Sequence, residues 1–486
     1  MRLMIAGGGG FRVPLVYRAL CAGPYAGLVR ELVLYDVDPG RLAAVEAVLG
    51  SFARQLPPGA APPAVRSTTS LAEALTGTDV VFAAIRPGGT AGRSKDERVA
   101  LDLGLLGQET TGAGGISYAL RSIPRMLDLA ARMRRHCPDA WLLNFTNPAG
   151  MVTEALVPVL GRKVVGICDS ASGLVYRAAH AAGVVLPEGR LDGVGYYGLN
   201  HLGWLYRLES GGRDVLPGLL ADADALAGFE EGRLFRQPFV ADLGCLPNEY
   251  LYYYYETEHA LAGIRSSPTT RGESIDRQLT ELYPRLAAAG LQAYPLWDQA
   301  RHSREEGYLA EARAAGERRD EADLAGGGYE RVALAVMRAL SGGGPAELIL
   351  NTPNTSGADD DPGTPAIPGL PADAVVEVPC RVTLDGVAPL PQDRPAPAQL
   401  ALMRRVKDVE RLVVQATAQP TGLAARQDVG PGVGARRRAA ALAAFARHPL
   451  VDSDVLAAKL LAGYEAAFPE LPKLWRSDSD STGDDF

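Results

Sequence analysis

The 486-residue chain reads as an α/β protein, with an N-terminal Rossmann-like doubly wound sheet followed by an α+β substrate and oligomerisation domain. Three observations predict this. Up to about residue 195, short apolar runs alternate with stretches of helical composition; four glycines directly follow the first run; and from about Leu191 the pattern becomes a Gly/Tyr-rich strand, an acidic alanine-rich region and a mixed tail. The strand candidates are residues 3–6, 32–35, 80–85, 141–145 and 164–167, separated by helical segments at 13–21, 40–56, 117–136 and 173–182. Connections of that kind must cross over, so the sheet is predicted to be largely parallel. The predicted division is 1–195 for the Rossmann-like domain, 196–476 for the second domain and 477–486 for a disordered acidic tail, too polar to bury a core. Pro and Gly break ladders and helices, which makes Ala61-Pro62-Pro63, 342–344 and 354–371 predicted loops, the last long enough for a surface excursion or a clamp.

Composition narrows the function classes. A length of 486 residues suggests two or three domains on the usual scale of roughly 100–200 residues each. The net charge of −8 disfavours nucleic acid, because binding a phosphate backbone needs a basic surface. The cysteines Cys21, Cys137, Cys168, Cys245 and Cys380 are odd in number and never form Cys-x-x-Cys, so neither a disulfide framework nor a zinc ribbon is indicated. The first apolar stretch is too short for a signal-peptide core, and no apolar run approaches the ~18–20 residues that span a bilayer. The expectation is a cytoplasmic protein with a small-molecule ligand and neither a nucleic-acid nor a membrane partner.

Gly7-Gly8-Gly9 sits between the first strand and a helix, where glycine lets backbone approach a pyrophosphate and the helix N-terminus favours its charge. The fingerprint is incomplete, because Arg12 occupies its third glycine position. Asp36, ending the second strand, lies somewhat beyond the usual distance for an acid that accepts hydrogen bonds from an adenosine ribose. A carboxylate there repels a 2′-phosphate and so favours NAD over NADP. The predicted NAD contacts are Gly7, Gly8, Gly9, Gly10, Phe11, Asp36 and Arg41. The alternative is a plain glycine turn followed by a turn-capping Asp36, with Asp38-Pro39 as the helix cap.

Four ordered motifs narrow the reading: GQETTGAGGISYALRSIP at 107–124, NFTNPAG at 144–150, VGICDS at 165–170 and GLNHLGW at 198–204. Together with LPNEYLYYYY and LNTPN further on, they resemble glycoside hydrolase family 4, closest to its 6-phospho-β-glucosidase branch, from Gly7 to about Pro391. The resemblance implies a glycosidase that departs from the two-carboxylate scheme and uses NAD. It implies oxidation of the sugar at C3, removal of the acidified C2 proton, elimination of the C1–O bond, addition of water and reduction of the ketone.

Such chemistry needs fixed positive charge at the C2 and C3 oxygens. Cys168 and His201 resemble the family's ligands for a divalent metal, usually manganese; one thiolate and one imidazole leave coordination positions open for sugar oxygens. Read without the family, a cysteine after a buried strand is a small core residue and a histidine in a Gly-rich segment is packing. Tyr250 resembles the C2 base, with Tyr252 to Tyr255 crowding the same segment; a phenol needs nearby positive charge to act as a base at neutral pH, and the metal site could supply it. Asp169 occupies a position where Asn is usual in the phospho-β-glucosidases and Asp is the leaving-group acid of the phospho-α-glucosidases, while Ser170-Ala171-Ser172 match neither pattern. The resemblance also implies that Arg93 and Arg271 meet the substrate phosphate, and that Glu109 and Asn147 contact the sugar.

The expected substrate is a phosphorylated disaccharide or glucoside and the expected assembly a homodimer or homotetramer. The competing readings are a 6-phospho-α-glucosidase or related family 4 glycosidase, a 2-hydroxyacid dehydrogenase, which would need a His–Asp relay not found in this sequence, and an inactive NAD-binding homologue.

Overall fold

The computed structural model describes residues 1–60, 62–313, 328–355, 363–417 and 432–475. The predicted acidic tail, Ala61 and the middle of the 354–371 loop lie outside the described residues. Six parallel strands, β1 (Arg2–Ala6), β2 (Glu31–Tyr35), β3 (Ala64–Thr68), β4 (Val80–Ala83), β5 (Trp141–Asn144) and β6 (Val164–Gly166), lie in the order β3-β2-β1-β4-β5-β6. This is the doubly wound Rossmann order, with its reversal between β1 and β4. Their sequences are nearly continuous apolar runs because helices cover both faces. Leu3, Ile5, Leu32, Leu34 and Phe82 enter the core on one side of the sheet, and Met4, Ala6, Val33, Val81 and Ala83 enter the core on the other.

All five predicted N-terminal strands are present. Among the elements not anticipated are β3, whose AVRST sequence forms a poorly buried edge, the helices Leu71–Leu75 and Ala149–Leu160, and the helix Gly89–Asp102, whose Arg, Ser, Lys, Asp and Glu residues show no apolar stripe. That helix is fastened by a fully buried ion pair, Asp96 to Arg121, with hydrogen bonds of 2.9 and 2.7 Å.

The second half of the chain builds outward from the same sheet. Its strands are β7 (Val194–Leu199), β8 (Leu202–Ser210), β9 (Arg213–Asp214), β10 (Leu246–Pro247), β11 (Ala346–Pro353), β12 (Val375–Thr383) and β13 (Gly386–Pro389). They continue the sheet antiparallel in the order β6-β11-β12-β7-β8-β10, with β13 on β12 and β9 on β8. At the junction Asn351 lies opposite Gly166, where a Cβ would stand 2.5 Å from Thr153 Oγ1 and 2.8 Å from Asn351 Cβ. Only glycine permits that approach.

Helices of the second half return to the first. Arg271–Ala288 packs against Gly89–Asp102 and Pro39–Ala53, which brings the second half over the carboxyl ends of the parallel strands.

One buried carboxylate ties the antiparallel extension together. Glu377 on β12 accepts hydrogen bonds from Asn351 Nδ2 (3.0 Å) on β11, Tyr196 OH (3.0 Å) on β7, and Asn200 Nδ2 (3.3 Å) in the turn after β7. Burial pushes its pKa up to about 6 against the pull of these three donors. Glu377→Leu strands all three, and a buried unsatisfied polar group costs ~1–3 kcal/mol. Urea unfolding is expected to show a loss of at least about 3 kcal/mol, with Glu377→Gln markedly milder.

Candidate active site

A cleft of about 2080 Å³ opens at the carboxyl ends of β1, β2, β4, β5 and β6, the usual ligand position in an open α/β sheet. At its nucleotide-sized end the chain leaves β1 through Gly7, whose φ of +88° and whose missing Cβ, 2.6 Å from the Ala84 carbonyl oxygen, both require glycine. Gly7, Gly10, Phe11, Asp36 and Arg41 line the cleft. Gly8 and Gly9 lie beneath its surface, where a Cβ would collide with Leu34 and Arg41 respectively.

Asp36 Oδ2 accepts the Gly9 N–H at 3.0 Å, and its other oxygen accepts from Asp38 at 3.1 Å. Asp38 is the cap of helix Pro39–Ala53, taking the Gly40 and Arg41 N–H groups. Three aromatic side chains from the second half hold the loop's carbonyls: Tyr283 OH on Gly9 (2.6 Å), Trp297 Nε1 on Phe11 (2.7 Å) and Tyr329 OH on Arg12 (2.6 Å). Arg41 lies 4.7 Å over the Tyr283 ring. The loop that the sequence marks as glycine-rich is thus shaped by residues about 270–320 positions away.

Deeper in the cleft, Cys168 follows β6 by two residues and His201 occupies the turn between β7 and β8. Burial, followed by the charges of Glu377 and Asp169, pushes the Cys168 thiol well up. His201 adopts φ +62°, a left-handed conformation that costs a non-glycine residue about 1–2 kcal/mol. Burial pulls its imidazole down to about 3, so the ring is neutral at physiological pH. Its Nδ1 is buried and has no hydrogen-bond partner among the described residues. A neutral imidazole with an orphaned nitrogen and a thiol lining the same cleft are donors of the types that hold a metal.

Among the described residues no group of three or more His, Cys, Asp or Glu side chains could hold a metal ion. A cation here would therefore draw at most two ligands from His, Cys, Asp and Glu side chains among the described residues. Tyr250 stacks on His201 with ring centroids 3.7 Å apart and planes 9° from parallel. Burial, followed by the neighbouring Glu249 carboxyl and Cys168 thiol, pushes its phenol well above the ordinary range against the pull of a hydrogen bond from Tyr308, and a bound cation would lower it further. Asn147 also lines the cleft, with its Oδ1 buried and unpartnered among the described residues. Asp169 pairs with Arg12 at 3.8 Å.

The far wall carries arginines. Arg93 Nη1 reaches Glu109 Oε1 at 2.6 Å and Arg93 Nε reaches Glu97 Oε1 at 2.8 Å. Arg86 takes the second Glu109 oxygen at 2.5 Å. Burial alone would raise the Glu109 carboxyl, but Arg86 and Arg93 bring it down to about 2. Both oxygens of the predicted sugar contact are thus engaged by cations. Arg271 donates to the Arg304 and Gly307 carbonyls and stacks 5.5 Å over Tyr308.

Arg304, which sequence reading passed over, faces the cleft above the Phe11 ring at 4.4 Å and makes no ion pair among the described residues. Burial, followed by the charges of Arg12, Arg271 and Arg93, pulls it down to about 9. Guanidinium groups so arranged suit a phosphate.

A Rossmann sheet with a deep cleft at the carboxyl ends of its strands, lined by Cys168, His201 and several arginines, has the architecture of a nucleotide-binding α/β protein. The chain belongs to family 4 of the glycosyl hydrolases: the family model matches residues 2–184 and the model of the family's C-terminal domain matches residues 196–427. It is 30% identical over 442 residues to 6-phospho-alpha-glucosidase 1 of Lacticaseibacillus paracasei, covering 86% of this chain and 89% of the relative. Over 414 residues it is 28% identical to the 6-phospho-beta-glucosidase of Escherichia coli, covering 81% and 82%. The 6-phospho-beta glucosidase of Thermotoga maritima, solved with manganese, NAD+ and glucose-6-phosphate, superposes with a TM-score of 0.74 at 25% identity, over 97% of this chain and 99% of that one.

Arg304→Met removes a cation that makes no ion pair among the described residues from a crowded positive wall. Without added anion the variant is expected to unfold at a higher temperature than the wild type. Saturating inorganic phosphate at low ionic strength stabilises the wild type by RT ln(1 + [L]/Kd), about 2.7 kcal/mol at a hundredfold excess over Kd, and most of that gain is expected to vanish in the variant.

Proposed function

We propose that this chain is an NAD- and divalent-metal-dependent glycosidase that cleaves 6-phospho-β-glucosides in the cytoplasm, as a homodimer or homotetramer. The observation that carries the reading is the meeting of Cys168, His201 and Tyr250 in one cleft, with the His201 Nδ1 unclaimed and the arginine wall opposite. Two family-model matches that together cover most of the chain, and relatives named for 6-phosphoglucosidase activity, support it. Among the described residues no helix is long and apolar enough to cross a membrane. In this reading residues 1–195 carry the cofactor and 196–476 complete the substrate site and the subunit contacts.

Gly7, Gly10, Phe11, Asp36 and Arg41 would hold NAD, over Gly8 and Gly9, and Cys168 and His201 would hold the metal, Mn²⁺ or a similar divalent ion. When bound, these groups supply a reversible hydride acceptor for sugar C3 and a Lewis acid for the C2 and C3 oxygens. Arg93, Arg271 and Arg304 grip the 6-phosphate as fixed cations, which orients the ring before any bond changes. Asn147, with its free Oδ1, accepts a hydrogen bond from a sugar hydroxyl. Tyr250, held flat against the His201 ring, takes the proton from C2. Asp169 lines the same cleft, as a 6-phospho-α-glucosidase acid would, but here it is engaged by Arg12.

The decisive assay is hydrolysis of 4-nitrophenyl α- and β-glucoside 6-phosphates with NAD and Mn²⁺ each added or omitted. Cleavage of the β-anomer that needs both additions is expected; cleavage independent of NAD, or none at all, would sink the reading. Cys168→Ser and His201→Ala are expected to lose Mn²⁺ affinity and activity together. Tyr250→Phe is expected to keep Mn²⁺ affinity while slowing exchange of the C2 proton with solvent by about 10²–10⁴-fold.

A further inference from the structure

Glu249 is a buried carboxyl group of the cleft that the chemistry above leaves unused. It opens the short turn Glu249–Leu251, whose start is fixed by Asn248 accepting the Tyr250 N–H at 2.9 Å. The residue is 3% exposed and lines the same cleft as Cys168, Asp169, His201 and Tyr250. Oε1 accepts from Tyr308 OH at 3.3 Å, and Oε2 is buried without a hydrogen-bond partner among the described residues.

The surroundings favour the neutral acid. A neighbouring cation, Arg177, is bound by both oxygens of Glu231, with Nε to Oε2 at 2.9 Å; Glu230 adds negative charge, and Ser170 hydrogen-bonds the Glu249 carboxyl. Burial and the charge of Glu231 push Glu249 up against the pull of Arg177 and of a Ser170 hydrogen bond, which favours the protonated form.

Stereochemistry gives this position a meaning. In the chair form of a glucoside the C2 hydrogen and a β-linked C1 oxygen share one face of the ring, whereas an α-linked oxygen leaves from the opposite face. Eliminating a β-aglycone therefore needs its proton donor on the same side as the base. Glu249 adjoins Tyr250 in the chain, and the Tyr308 hydroxyl that bonds Glu249 also hydrogen-bonds Tyr250.

We infer that Glu249 is the proton donor to the departing oxygen of a β-linked substrate. Tyr250 takes the C2 proton, the C2–H electron pair becomes the C1–C2 π bond, and the C1–O pair leaves on oxygen, which receives the proton of Glu249. In the return step the Glu249 carboxylate takes a proton from water as its oxygen adds to C1, and Tyr250 restores the proton at C2. This rests on the glycosidase reading above and specifies its anomeric outcome.

The test compares Glu249→Gln with wild type, both with NAD and Mn²⁺, on two substrates. 4-Nitrophenyl β-glucoside 6-phosphate releases a stable phenolate and needs little acid help; methyl β-glucoside 6-phosphate releases an alkoxide and needs it fully. The variant is expected to lose about 10²–10⁴-fold in kcat/KM on the methyl glucoside, within the range of general acid catalysis, and under ~10-fold on the nitrophenyl glucoside. Exchange of the C2 hydrogen of glucose 6-phosphate in D2O is expected to persist. Glu249→Asp, which keeps an acid one methylene shorter, is expected to recover part of the methyl-glucoside rate and guards against a purely structural defect. Equal losses on both substrates, no loss on either, no recovery in Glu249→Asp, or the selective loss appearing in Asp169→Asn instead would each overturn the assignment. A wild type that cleaves neither substrate would refute the glycosidase reading itself, and so is distinguishable from failure of the acid.

Discussion

The buried carboxylate of Glu377 is the interaction on which the site depends. Cys168 follows β6 and His201 follows β7, and the path between those strands crosses β11 and β12. Each crossing is held by a donor to the same carboxylate: Asn351 from β11, Tyr196 from β7 and Asn200 from the turn that contains His201. Asn200 also accepts the Ala149 N–H at 3.0 Å, which places the segment carrying Asn147 against the same turn. A carboxylate buried in a sheet is costly unless its oxygens are satisfied. Here three donors satisfy it, and the sheet gains a fixed register where the two halves of the protein meet.

Charge is distributed along the cleft with a matching logic. The end holding Glu249, Glu230 and Glu231 carries excess carboxylate, and the wall holding Arg12, Arg93, Arg271 and Arg304 carries excess guanidinium. Both ends are left imbalanced: a proton on Glu249 relieves one, and an anionic ligand would relieve the other. Glu97 and Glu109 keep Arg93 and Arg86 oriented without cancelling the wall's positive potential, because Arg304 above Phe11 has no ion-pair partner among the described residues.

Much of the Rossmann half was legible because its signals are local. The runs at β1, β2, β4, β5 and β6 are apolar on both faces, and the four glycines sit where the chain must pass close to β2 and β4. The edge strand β3 escaped because a half-exposed AVRST has no apolar run, and helix Gly89–Asp102 because a buried ion pair fixes it where an apolar stripe would otherwise be expected. The continuation of the sheet through β11 and β12 was invisible, since pairing across some 180 residues leaves no trace in local periodicity. The site shows the same division. Cys168, His201, Tyr250, Arg93, Arg271, Asn147 and Asp169 were named from motifs and all line the cleft. Arg86, Arg304, Glu249 and Glu377 were not singled out, although Glu249 stands inside the quoted LPNEYLYYYY. Each is an ordinary charged residue until the fold buries it in the cleft or the sheet.

The central claim is that a thiol and an imidazole from distant strands converge on one cation beside the glycine turn. Anomalous diffraction at the manganese edge, from crystals grown with Mn²⁺ and NAD, addresses it directly. The account predicts a single strong peak bonded to Cys168 Sγ and a ring nitrogen of His201, facing the nicotinamide. A peak elsewhere, or no peak between those two side chains at saturating Mn²⁺, would contradict it.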